Sequence, residues 1–276
     1  MIRRATTEDA EFIAALLEHE EVAPFLAAIR AKGREATLER IERSLREPAE
    51  FGVFVIEEDG QLAGMIEFEE VNRRSRIAHL GGLAVHPDFR GGRVADDAAR
   101  EFQRHVLLDL GYHRLEFEIY EFNERAMRLG ERVGCVREGE RRKAYRRQGR
   151  WVGSVLYALL REDFGLPPGT DLLYEYVARH NLGVRHGDWE PLGECFADDA
   201  VLEFEGMPHG PFAGREAIVA AYSERPPDDE VRVVEVLEDD DEVVAAYSWL
   251  ATLGKPAGSI RLRLADGCIA ALQVTV

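Results

Sequence analysis

The stretch HPDFRGGRVADDAAREF, residues 86–102, decides how the first half of this chain is read. A strand-like run, RIAHLGGLAV (76–85), leads into it, and a helical pattern follows to about Leu110. A helix N-terminus carries unpaired N–H groups and a partial positive charge. Strand, glycine loop and helix in that order therefore make an anion site. Gly91 and Gly92 let the backbone approach closely, and Arg90 and Arg93 can add charge-assisted contacts. A pyrophosphate suits such a loop. A Gly-Gly pair ahead of a helix is equally the material of a plain turn, so the neighbouring segments carry the decision.

The 276 residues suit about two domains at the usual ~100–200 residues each. No apolar run approaches the ~18 residues of a membrane span, and no basic-then-apolar leader pattern appears. Cys135, Cys195 and Cys268 form neither a disulfide framework nor a zinc pattern, so a cytoplasmic protein without metal is expected. The net charge of −17 is unevenly shared. Residues 1–165 hold 27 Lys+Arg against 31 Asp+Glu, while residues 166–276 hold 8 against 21. That balance argues against nucleic-acid binding, which needs a cationic footprint. It suits a cationic ligand, or simply solubility.

Helices and strands mix in residues 1–165. A first strand, MIRRAT, precedes a helix that Thr7 can cap. In REATLERIERSLRE, Leu38, Ile41 and Leu45 are spaced for one helix face. Asp59-Gly60 between two apolar strands predicts a hairpin. RLEFEIYEFN alternates as a strand, ERAMRLGERVG is a helix ended by Gly134, and WVGSVLYALL is a closing strand. Gly165, Pro167, Pro168 and Gly169 mark a boundary. Beyond it the pattern runs from helices, including the piece DWEPLGECFADD, to strands with a tight turn at Asp266-Gly267. Residues 170–276 read as an α+β cone or barrel.

LAVHPDFRGGRVA resembles the Val-x-Pro-x-Tyr-Arg-Gly-x-Gly-x-Gly/Ala run of the GNAT superfamily of acyl-CoA-dependent N-acetyltransferases. NERAMRLGERVGCVREG resembles that family's Asn-x-x-Ala…Glu-Lys-x-Gly-Phe segment, and the tail after it looks like the RimJ/RimL-type branch. The resemblance implies a mixed, mostly antiparallel α/β sheet flanked by helices, with acetyl-CoA as co-substrate. It implies that Leu83, Ala84 and Val85 pair with the pantetheine arm. Arg90, Gly91, Gly92, Arg93, Val94 and Ala95 would wrap the pyrophosphate, and Asn123 would sit near the thioester. Two positions depart from the pattern. Arg93 stands where the family has Gly, and Gly130 stands where many members have the Tyr that protonates the leaving thiolate.

An acceptor amine with a Lys-like pKa of ~10.4 arrives protonated and needs a base. The family's usual base lies six residues before the Val of the Ala-Val pair, which falls on His79. An imidazole suits that task near neutral pH, although a strand histidine can equally hydrogen-bond a neighbour. Glu67, Glu69, Glu118 and Tyr120 are reserve candidates. Alternation places Glu67 with Glu69, and Glu116 with Glu118, on common strand faces. If those faces line the acceptor cleft, a cationic amine such as an amino sugar or polyamine is favoured.

YEYVARHNLGVRHGDWEPLGECFADDAVLEFEG with the later GREAIVAAY resembles the SnoaL-like, ketosteroid-isomerase-like cone. The resemblance implies an apolar pocket and a homodimer. The places of such isomerases' Tyr, Asp base and Asp donor fall on His180, Phe204 and Ser259, so a carboxylate-driven proton shuffle is not expected. His180, His186 and Trp249 remain as ligand contacts or packing groups. The expectation is a two-domain acetyl-CoA-dependent N-acetyltransferase acting on a small-molecule amine. The alternatives are an inactive acyl-CoA or small-molecule binding protein, a protein N-terminal acetyltransferase, and a bifunctional enzyme.

Overall fold

A computed structural model describes residues 1–26, 33–165, 169–206, 208–239, 242–252 and 255–275. Pro167 and Pro168 of the expected boundary lie outside these residues. The chain divides into two compact units, Met1–Asp163 and Phe164–Val276.

The first unit runs β1 (Ile2–Arg4), α1 (Ala10–Glu18), α2 (Arg34–Arg46), β2 (Phe51–Glu58), β3 (Gln61–Asn72), β4 (Ile77–Val85) and α3 (Val94–Arg104). It continues with β5 (Arg114–Tyr120), α4 (Glu124–Arg132), β6 (Val136–Arg147) and β7 (Arg150–Leu160). The sheet order is β1-β2-β3-β4-β5-β7-β6, antiparallel except between β4 and β5. β2 is buried on both faces, which is why FGVFVI reads as a continuous apolar run. Phe51, Val53 and Val55 pack with Ile13, Leu16 and Ile41 of α1 and α2. Ile56 packs with Val94 and Ala98 of α3, and the Phe54 ring meets Phe102 edge-on. The β2–β3 hairpin turns at Asp59 and Gly60, both at positive φ (50° and 75°), the geometry of the favoured two-residue turn.

Several local expectations shift by a residue or more. Thr6, not Thr7, begins the first helical turn, because Asp9 reaches back to the Thr6 N–H at 2.7 Å. On α2 the interior position is Ser44 rather than Leu45, which is 49% exposed. The Ser44 hydroxyl accepts from Val53 N–H (2.9 Å) and from Arg4 (2.7 Å), a need that leucine cannot meet. The α3 helix stops at Arg104 and gives way to one π-type turn, His105–Asp109. β6 was not expected as a strand, since its residues are mostly exposed and charged.

The decisive irregularity lies between β4 and β5. They pair only at Ile77↔Arg114, Ala78↔Leu115 and His79↔Glu116. β5 stays bound to β7 along its length, from Arg114↔Leu160 to Tyr120↔Ser154. β4 stays bound to β3, but with Glu67↔Gly82 followed by Phe68↔Leu80, so Gly81 is one extra residue. Such a bulge bends its strand. A Cβ at Gly81 would lie 2.6 Å from Glu67 Oε1, so only glycine fits there without displacing that carboxylate.

The second unit runs α5 (Thr170–His186), α6 (Glu190–Gly193), β8 (Phe196–Glu205), β9 (Phe212–Ala213), α7 (Arg215–Glu224), β10 (Val231–Asp239), β11 (Glu242–Trp249), β12 (Gly258–Ala265) and β13 (Cys268–Thr275). The order β10-β11-β12-β13-β8-β9 leaves two edges, so the α+β cone does not close into a barrel. The helix expected over DWEPLGECFADD is only four residues long, and β8 begins at Phe196. The Asn181 side chain pins β10 to α5 by exchanging two 2.8 Å hydrogen bonds with the Val231 backbone.

Candidate active site

The parting of β4 and β5 opens into a cavity of about 1460 Å³, lined by both strands and by residues of α2, α3, α4 and β6. Leu83, Ala84 and Val85 pair with Ile66, Met65 and Gly64 on one side only. Beyond His79 the other edge of β4 has no partner strand among the described residues, which leaves backbone donors and acceptors facing the gap.

The loop that follows is built for close approach at two glycines. Gly91 has φ +93°, a left-handed conformation that glycine adopts without strain. At Gly92 a Cβ would meet nothing within 4 Å. Gly91, Gly92 and Ala95 line the cavity. Arg93 is the N-cap of α3 at φ −94°, and its side chain is 83% exposed, 3.3 Å from Asp97. It does not crowd the loop. Val94 packs inward with Ile56, Ala63 and Ala98, so only its backbone faces the helix end.

Arg90 is not a free loop cation. Its Nε donates to Val85 O (3.2 Å), Nη1 to Glu21 Oε2 (2.9 Å) and Nη2 to Glu21 O (3.1 Å). It braces the loop against the segment after α1. Sequence reasoning missed Glu21, which lies 69 residues away. Asn123 caps α4, accepting from Ala126 N–H at 3.2 Å, and lines the cavity. Gly130 is buried, a Cβ there would lie 3.7 Å from the Phe117 ring, and the residue offers no hydroxyl. Asp96 is held ionised mainly by its bidentate pair with Arg132 (2.9 and 3.0 Å).

His79, Glu118 and Tyr120 all line the cavity, and His79 stands at the last paired position before the strands part. The expected acidic faces exist, but each carboxylate has an arginine. Glu67, 2% exposed, meets Arg40 at 2.8 Å, and Glu69 meets Arg43 at 2.7 Å. Glu116 meets Arg114 at 2.9 Å and Glu118 meets Arg141 at 3.1 Å. Glu118 also accepts from Ser154 Oγ (2.6 Å) and from the Tyr145 hydroxyl. Burial works to raise its pKa, but hydrogen bonds from Ser154, Tyr145 and Arg141 outweigh it and hold the carboxyl below its usual range. Tyr120 is 1% exposed, stacked on Phe122 with the Arg147 guanidinium 5.1 Å over its ring, and burial raises its pKa.

Tyr145 is the lining residue that the sequence concealed. It is the lone aromatic in ERRKAYRRQ, and the ladder jumps from Arg141↔Ser154 to Tyr145↔Val152, which disrupts any alternation. Burial and the bond to Glu118 push its hydroxyl up to about 12.

In the second unit the expected pocket positions are packed. Tyr176, His180, Trp189, Phe196 and Tyr222 are each at most 3% exposed. The Tyr176 and Tyr222 hydroxyls meet at 2.7 Å, and the His180 ring stands edge-on to Trp189 at 5.7 Å. Burial holds His180 below its usual range, against its bond to Asn181. Phe204 is half-buried, edge-on to Tyr222. Ser259 bonds Thr275 at 2.7 Å, Trp249 packs on Tyr247, and His186 is exposed. Among the described residues no group of three or more His, Cys, Asp or Glu is placed to hold a metal ion. No described helix is long and apolar enough to cross a membrane.

Residues 1–136 match the acetyltransferase (GNAT) domain family and residues 177–270 the SnoaL-like domain family. The chain is 30% identical over 136 residues to the SPbeta prophage-derived uncharacterized N-acetyltransferase YokL of Bacillus subtilis, a match covering 49% of this chain and 73% of that protein. It is 25% identical over 123 residues to the spermidine N(1)-acetyltransferase of Escherichia coli, covering 44% and 66%. Among solved structures, the spermidine N-acetyltransferase from Vibrio cholerae in complex with CoA and spermine superposes with a TM-score of 0.55 at 19% identity, over 60% of this chain and 98% of that one. The ribosomal-protein-S5-alanine acetyltransferase from Vibrio fischeri gives 0.52 at 18%, over 60% and 94%. These two likenesses show the fold.

Proposed function

This chain belongs to the GNAT acetyltransferase family, and from that membership we propose that it transfers the acetyl group of acetyl-CoA to the primary amine of a small molecule. The observation that carries the reading is the parting of β4 from β5 over a cavity that reaches from the α3 loop to His79. Acetyl-CoA supplies an activated acyl carbon. Backbone N–H groups from Gly91 to Ala95 at the start of α3 receive its pyrophosphate. The free edge of Leu83, Ala84 and Val85 pairs with the pantetheine arm and offers an N–H to the thioester oxygen. Asn123 lies along the same cavity, and Arg90 holds the loop in place.

His79 takes the proton from the acceptor amine, directly or through one water. It lines the cavity where the strands separate. Glu118 is a poorer base, since three donors already occupy it. Calorimetric titration of the full-length chain with acetyl-CoA, then thiol-release assays over a panel of primary amines, tests the reading. Micromolar binding that weakens about tenfold or more in Gly92→Val, and amine-dependent release that falls in His79→Ala, are expected. A chain that neither binds acetyl-CoA nor releases thiol overturns it. Gly130, without a hydroxyl, favours a second reading of acyl-CoA binding without catalysis. Binding with no release from any amine decides for that one.

A further inference from the structure

Resting on that reading, we propose that Tyr145, oriented by Glu118, positions the acceptor amine by accepting one of its N–H bonds, and so selects weakly basic amines over polycations. Three observations lead there. The first is the charge balance of the acceptor wall. Glu67, Glu69 and Glu118, which line the cavity, each face an arginine within 3.1 Å, and Glu21 is spent on Arg90. Glu20 also lines the cavity, but at an exposed position where solvent screens it. Among the described residues, these paired carboxylates therefore offer no spare negative charge to an arriving ammonium.

The second is hydrogen-bond polarity. A phenol has one proton and two lone pairs. The Tyr145 proton is committed to the Glu118 carboxylate, which Ser154 and Arg141 also hold. The phenol oxygen can then act toward the cavity only as an acceptor. A neutral amine fits this arrangement, because it donates one N–H to the oxygen and keeps its lone pair for the acyl carbon.

The third is the position and field of the site. Glu118 lies two residues past the last β4–β5 pair, and Tyr145 stands edge-on to Tyr120 at 5.2 Å. Arg147 covers the Tyr120 ring and donates to Ala23 O (3.1 Å) and Pro24 O (2.9 Å), with no carboxylate among these contacts. Its positive charge on this wall disfavours a second cationic centre on the acceptor. At pH 7.5 an α-amino-type group is about a quarter to two fifths unprotonated, against roughly one part in a thousand for a lysine-like amine. A site that binds the neutral form gains most from the former.

The test is steady-state thiol release from acetyl-CoA by the full-length chain, with glycinamide, glucosamine and spermidine as acceptors, repeated in Tyr145→Phe and Glu118→Gln. The weakly basic acceptors should exceed spermidine in kcat/KM by about tenfold or more. Tyr145→Phe keeps the ring contacts, and should raise the amine KM about tenfold with kcat within about threefold. The acetyl-CoA KM and the pH midpoint of kcat should not move, which separates positioning from a general structural loss. Glu118→Gln should act in the same direction, because its amide can donate to the phenol oxygen and occupy it. Spermidine as the preferred acceptor, or an unchanged amine KM in Tyr145→Phe, overturns the assignment while leaving acetyl transfer intact. No release with any amine removes acetyl transfer itself and this assignment with it.

Discussion

Between β4 and β5 the first unit forgoes strand pairing beyond His79 and keeps a cavity of about 1460 Å³. The second unit does the opposite with its interior. Tyr176 and His180 of α5, Trp189, Phe196 of β8 and Tyr222 of α7 close on one another, with two phenols sharing a hydrogen bond. The difference lies in what holds the walls. In the first unit β3 and β7 anchor the two parted strands, and arginines anchor the carboxylates between them. The walls stand without filling. In the second unit the lining is aromatic and apolar, and contacts between the rings themselves supply the cohesion.

The sharpest way to break this contrast is to empty the second interior. Trp189→Ala should cost the second unit ~3–5 kcal/mol, as large-to-small core changes do, read from its urea midpoint. A loss under about 1 kcal/mol would mean that the rings are not its core. The converse change fills the first unit. Gly81→Ala puts a Cβ 2.6 Å from Glu67 Oε1, and should cost ~1–3 kcal/mol by overpacking and lower thiol release by shifting β4. Full activity in that variant would show that the bulge does not shape the site.

A smaller effect comes from His180. Burial holds its folded pKa below the unfolded value of ~6.5. The unfolded chain then binds the extra proton, so stability should fall as pH drops below ~6.5 and recover above it. Urea midpoints of the second unit at pH 5.5 and 7.5 measure this, and His180→Gln should flatten the difference. The smallest change is Arg93→Ala. Its side chain is 83% exposed and pairs with Asp97 at i,i+4, a contact worth ~0.3–0.5 kcal/mol. Acetyl-CoA affinity by calorimetry should change less than about twofold. A tenfold loss would instead place this guanidinium on the pyrophosphate.

Features set by neighbours along the chain were legible. Asp59-Gly60 and Asp266-Gly267 turn where their positive-φ preference demands. Gly134 follows the end of α4 at φ +91°, as its place after ERAMRLGERV predicts. β6 was illegible for a physical reason. It is an edge strand, bound to β7 on one side, and it carries five cations in RRKAYRR, so no apolar alternation marks it. Tyr145 was hidden with it. Leu45 was misplaced because the interior of α2 needs a hydroxyl for Arg4 and Val53, partners that helix periodicity does not report.

The sequence by itself determined the two-part division in charge and pattern, the turns, the glycine stop after α4, and the strand–glycine–helix order around residues 86–102. These follow from backbone preferences and hydrophobic periodicity, which act over a few residues. Only the tertiary structure decided how the charged side chains are spent. Arg90 braces Glu21, Arg40 neutralises Glu67, and Arg141 with Tyr145 and Ser154 saturates Glu118. Long charged side chains choose partners by distance in space, and a one-dimensional pattern contains no such distances.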